Sequence, residues 1–139
     1  MQAMKLRRGT FRHVESELYD YHYTLKRIEE RRQELMSDSS REEGMPSSPS
    51  SPSSPTERYA TRLTMDRQLK ELERVAAAVE HVYNLCDEDR KKLIRLKYWT
   101  KPQTLNWEGI AQQIPTSRAT AFRWRDEIIQ AVGEQLGWW

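Results

Sequence analysis

Residues 46–55 read PSSPSSPSSP, ten positions with a proline every third residue and nothing to bury. Such a repeat cannot build a core, and it divides the chain into parts that must each find apolar surface elsewhere. With the polar stretch Ser37 to Gly44 before it, the reading is a disordered Pro/Ser-rich linker over residues 37–56. As flexible coil, about 20 residues span on the order of 25 Å, enough for the chain to turn back on itself.

On each side of the linker runs a stripe of apolar residues at spacings of three and four. Before it, Phe11, Val14, Leu18, Tyr21, Leu25, Ile28 and Leu35 predict one helix from about Thr10 to Met36, with Arg32 breaking the stripe. A helix of that extent is about 40 Å long, more than a small domain needs, and the stripe is narrow like a coiled-coil seam. After the linker, Met65, Leu69, Leu72, Ala76, Val79 and Tyr83 predict a second long helix over roughly 61–85. The two can pair as an antiparallel hairpin within the chain or across a dimer, or each can pack on the C-terminal part. The expected fold is all-α, divided into a long helix (1–36), the linker (37–56), a second long helix (57–86) and a three-helix unit (87–139).

Composition narrows the function classes. The 139 residues are too few for a large core with an internal cleft. A mean hydropathy of -0.93 and the absence of any apolar run of about 18 residues predict a cytoplasmic protein with no membrane partner. One cysteine, Cys86, excludes an intrachain disulfide and a Cys-based zinc cluster, and its amphipathic setting suits an inert thiol. His13, His22 and His81 are scattered with no partner at ligand spacing, and no nucleophile, phosphate-loop or carboxylate-pair motif is present. The expectation is a protein that is not an enzyme, with no cofactor and no metal. Net charge is only +2, so any affinity for nucleic acid must come from where particular arginines point.

The C-terminal stretch is the informative one. DEDRKKLIRLKYW, residues 87–99, carries acidic residues in a first turn and places Leu93, Leu96, Tyr98 and Trp99 on an apolar side, with Lys101-Pro102 after it. Asn106 can cap a short helix whose inner face is Trp107, Ile110, Ala111 and Ile114, and Pro115 stops it. Ser117 can cap the next, from 117 to about 132, with Ala121, Trp124, Ile128 and Ala131 or Val132 inside. Two such helices joined by a tight turn, with small Ala111 where backbones approach, meet the requirements of a helix-turn-helix.

The outer face of the second helix carries Arg118, Phe122 and Arg125 in one row and Ala119 with Arg123 in the next. A reading helix enters the major groove N-terminus first, Arg pairs bidentately with guanine, and Phe or Ala contacts a thymine methyl. The Ser117 hydroxyl and the first amides suit a phosphate. Three Arg alone could be a solvated face; an exposed Phe122 among them tips the reading towards duplex DNA.

From Leu85 to Val132 the chain resembles region 4 of bacterial sigma factors. More closely it is similar to the RinA and ArpU type of phage late-transcription activators, through RRGTF (7–11), ELYDYH (17–22), ATRLTMDRQLKELER (60–74), LKYWTKPQTLNWEGIA (96–111), SRATAFRWRDEI (117–128) and the closing LGWW. The resemblance implies a sequence-specific activator of a phage late operon, bound upstream of the promoter and acting with host RNA polymerase; the long helices add the expectation of a homo-oligomer. It also implies base reading by Arg118, Ala119, Phe122 and Arg123, and backbone contacts by Ser117, Thr120 and Arg125. In one respect the chain departs from the sigma pattern: Pro115 stands where Gly is frequent, and proline cannot take a positive φ, so the turn must differ locally. The same helices would also fit a small terminase subunit or a helical interaction scaffold.

Overall fold

The computed structural model describes residues 5–42 and 54–139, with the side chains of 38–42 excepted. Among the described residues there are seven helices and no strand: α1 (Arg8–Tyr19), α2 (Tyr21–Glu42), α3 (Pro55–Met65), α4 (Arg67–Leu85), α5 (Glu88–Tyr98), α6 (Trp107–Gln113) and α7 (Arg118–Leu136). The fold is all-α. No helix among the described residues is long and apolar enough to cross a membrane.

Each long helix is interrupted once. The first breaks at Asp20 (φ -91°, ψ 4°), so α1 and α2 replace the single helix expected over 10–36. No Pro or Gly stands there. The Trp99 indole N–H donates to the Leu18 carbonyl at 3.0 Å, occupying an acceptor that an unbroken helix would offer to residue 22. The second breaks at Asp66, whose extended backbone (ψ 118°) ends α3 while its carboxylate accepts from the Leu69 N–H at 2.8 Å and so caps α4.

The expected linker is shorter at both ends. α2 continues past Met36 to Glu42, and α3 starts at Pro55 behind an N-cap at Ser54. Glu57 N–H donates to the Ser54 hydroxyl while the Glu57 carboxylate accepts from Ser54 N–H, a capping box with proline at the first helical position. These caps draw the end of the Pro/Ser repeat into a helix; its other residues, and the disorder expected of them, lie outside those described.

The chain forms two compact units, Tyr23–Arg74 and Met1–His22 with Val75–Trp139. In the first, Thr24, Ile28, Leu35 and Leu69 are buried. Arg31 holds Asp66 at 2.7 Å and Arg32 holds Glu73 at 3.0 Å, so here the two stripes meet within one chain. The hydrogen bonds of Arg31, and after them the Leu69 N–H, keep the Asp66 carboxyl below the usual carboxylate range. Leu25 and Met65, expected in the seam, are exposed at 37% and 72%; Thr24 is buried in that stretch instead.

In the second unit, α7 is the central element. Its Ala121, Ile128, Ile129, Val132 and Leu136 are buried together with Val14 and Leu18 of α1, Leu93, Ile94 and Tyr98 of α5, and Ile110, Ala111 and Ile114 around α6. The first half of the expected coiled coil is therefore core for the C-terminal unit. Leu6 is buried beside Gly133, where an added Cβ would lie 2.7 Å from a Leu6 methyl, so any larger residue there would require the Leu6 side chain to shift. Gly137 (φ 74°) terminates α7: its N–H and that of Trp138 bond back to Glu134 and Gly133. Trp138 then packs tilted against His13 with ring centroids 4.7 Å apart, and the Trp139 carbonyl accepts from Arg7 and Thr10.

Candidate nucleic-acid interface

Local signals build the frame. Asp87 caps α5 by accepting from Arg90 N–H at 2.9 Å, with Glu88 and Asp89 in the first turn where the helix dipole favours them. Asn106 caps α6 by accepting from Gly109 N–H at 2.8 Å, and Ser117 caps α7 by accepting from Thr120 N–H at 3.1 Å. The connection 114–117 closes when the N–H groups of Ile114 (3.3 Å) and Thr116 (3.1 Å) both reach the Ala111 carbonyl. Among the described residues only Gly137 has a positive φ, so the turn at Pro115 needs none. Gln103 secures the approach to α6 by donating to the carbonyls of Leu96 and Lys97.

The seven residues singled out from sequence all fall on the first two turns of α7 or its cap, but their surroundings differ. Arg118, Ala119 and Arg123 are exposed, as is Ser117, whose hydroxyl also meets the Thr120 hydroxyl at 2.9 Å. Arg123 lies 3.9 Å from Glu127, both side chains more than half exposed, a pairing worth little in water and easily exchanged for another anion. Thr120 is half-buried.

Two expectations need correction. Phe122 is not freely exposed: its ring packs 4.6 Å from that of Trp107, with the Arg118 guanidinium 5.3 Å from its centre. It therefore buttresses α7 against α6. Arg125 does not project into solvent either, its side chain being 20% exposed. The guanidinium stands over Phe11, Trp107 and Phe122 at 5.2–5.4 Å and pairs with Asp126 at 2.6 Å and Glu15 at 3.6 Å. Three aromatic faces and two carboxylates explain this, because a guanidinium stacks and pairs at once.

The sequence reading missed the partners. Glu15 of α1 accepts from the Tyr98 hydroxyl at 2.7 Å, and burial first, then Glu15, drives the Tyr98 phenol far above its ordinary pKa. Tyr98, Glu15 and Arg125 thus link α5, α1 and α7. Lys97 stands 5.3 Å from the Trp107 ring and 5.2 Å from that of Tyr19. No spacing rule points to a pair such as Glu15 and Tyr98, which are 83 residues apart. Cys86 is half-buried, its thiol directed to the Val82 carbonyl and its pKa raised by burial.

A family model described as "Protein of unknown function (DUF722)" matches residues 14–134. The chain belongs to the DUF722 family. The matched stretch begins within α1 and ends within α7, so it takes in α5, α6 and the whole candidate face. No curated protein and no solved structure matches the chain.

Proposed function

We propose that this DUF722 chain is a sequence-specific duplex-DNA-binding protein whose α6–turn–α7 element enters the major groove with α7 as reading helix. The observation that carries the reading is the Ser117-capped start of α7, where Arg118, Ala119 and Arg123 stand exposed on a helix packed against α6. Arg123 and Arg118 are the base-reading side chains, able to take guanine O6 and N7 bidentately. Ala119 offers a methyl to thymine. Ser117 contacts the backbone together with the N-terminal amides of α7. Phe122 and Arg125 orient the helix, and Thr120 supports its cap.

The likeness to RinA- and ArpU-type activators extends the proposal to a phage late operon, with action in the bacterial cytoplasm upstream of a promoter and alongside host RNA polymerase. Self-association through the long helices belongs to the same reading; exposed Tyr23, Leu25 and Met65 offer apolar surface for it.

Selection of the purified protein on a randomised duplex library tests the reading. A recovered consensus is expected, and Arg123→Ala should cost about 1–3 kcal/mol on it while relaxing preference at one position. No enrichment of any sequence, or an unchanged preference in the variant, would refute it. Mass in solution separates regulation, by a dimer or tetramer, from a packaging ring of many subunits.

A further inference from the structure

The chain is nearly neutral, yet Lys5, Arg7, Arg8 and Arg12 fall within eight residues and no Asp or Glu precedes Glu15. Folding does not account for this cluster. α1 starts at Arg8 without a side-chain cap and without an acidic residue in its first turn, so the cations sit at the positive end of the helix dipole, where they oppose helix formation. Arg7 is engaged with the Trp139 carbonyl. Lys5, Arg8 and Arg12 are exposed, and no carboxylate among the described residues forms an ion pair with them.

The cluster is held firmly and next to the reading helix. Leu6 is buried against Gly133, and its N–H donates to the Gln130 side chain at 3.2 Å. Further along α1, Phe11 lies under Arg125 and Glu15 pairs with it, so α1 runs antiparallel along α7 from residue 133 back to 125. Arg8 and Arg12, one helical turn apart, line an open groove with Lys5, Phe11 and Glu15. From Phe11, contacts pass through Arg125 to Phe122 and on to Arg118. Arg118 and Arg125 stand seven positions apart, about 10 Å along the helix. That is close to the width of a major groove, roughly 12 Å, so a duplex read by the start of α7 brings a flanking phosphate strand towards α1.

We propose that Arg8 and Arg12, with Lys5, form a second DNA-contacting surface that grips the phosphodiester backbone beside the groove read by α7. This rests on the DNA-binding reading of α7. The surface supplies affinity and orientation but no base preference, because phosphates are alike in every sequence.

The test uses the full chain and the duplex recovered by library selection, with affinity measured from 50 to 200 mM salt. Each phosphate contact contributes about 0.9 to the slope of log K against log salt, so Arg8→Gln with Arg12→Gln should lower the slope by about 1.8. The affinity lost across that salt range should then be about tenfold smaller than for the unaltered protein. Base preference should not change, and Arg8→Lys with Arg12→Lys should restore the slope, which loss of structure would not allow. An unchanged slope in the Gln variant, or a Lys variant no better than the Gln variant, overturns the proposal while leaving α7 as reader. If the unaltered protein binds no duplex, the DNA reading itself fails and this inference fails with it. A variant that binds with altered base preference also overturns it, since these arginines would then be reading bases.

Discussion

Gly133→Ala offers a test in which two ordinary effects oppose each other. In a helix interior, alanine is favoured over glycine by about 1 kcal/mol. Here the added methyl would lie 2.7 and 2.9 Å from the two Leu6 methyls, well inside contact distance. The Leu6 side chain must shift from a place where only 7% of its surface is exposed. Giving up that burial costs about 1.5–3 kcal/mol. The net result should be a loss of about 0.5–2 kcal/mol. In a Leu6→Ala background the obstructing methyls are gone, and the same substitution should become stabilising by up to about 1 kcal/mol. Tryptophan fluorescence during urea unfolding reports this unit alone, since all five tryptophans lie in the stretch 99–139. With m near 2 kcal/mol/M, a 1 kcal/mol change moves the midpoint by about 0.5 M. If Gly133→Ala raised the midpoint with Leu6 present, the side chain would be swinging aside freely, and Leu6 would not be an anchor for the N-terminal segment.

Other substitutions address the polar links. Tyr98→Phe leaves the half-buried Glu15 with Arg125 alone and should cost about 1.5–3 kcal/mol in the same assay, the worth of a hydrogen bond to a charged group; no change would show the link to be incidental. For Asp66, Arg31 and the Leu69 N–H depress the folded-state pKa. Its contribution is therefore full above the unfolded value of about 3.9 and fades as pH falls through the lower folded one. Asp66→Asn should destabilise Tyr23–Arg74 at pH 6 and flatten the loss of helicity below about pH 4, followed by circular dichroism; an acid limb as steep as before would refute the assignment.

The C-terminal helices were legible because their signals are local. Asn106 and Ser117 cap through bonds spanning three residues, and the apolar spacing in 107–132 follows from the helix period itself. The same kind of signal stood at Ser54, Pro55 and Glu57, yet the Pro/Ser repeat around it reads as linker and hides the capping box. Asp66 is a comparable case, since an Asp three residues before Leu69 can stop one helix and start another.

The sequence alone determined an all-α chain, a helix-turn-helix-like pair and the placement of Arg118, Ala119 and Arg123 on its exposed side. Each of these depends on periodicity or on bonds between near neighbours. Tertiary structure decided the rest. Trp99 bonds to the Leu18 carbonyl beside the helix break at Asp20, α1 belongs to the C-terminal unit, and Glu15 and three aromatic rings hold Arg125 largely out of solvent. The physical reason is the same in each case. A donor or a ring can pair with many groups along the chain, and which pair forms depends on which apolar faces bury one another.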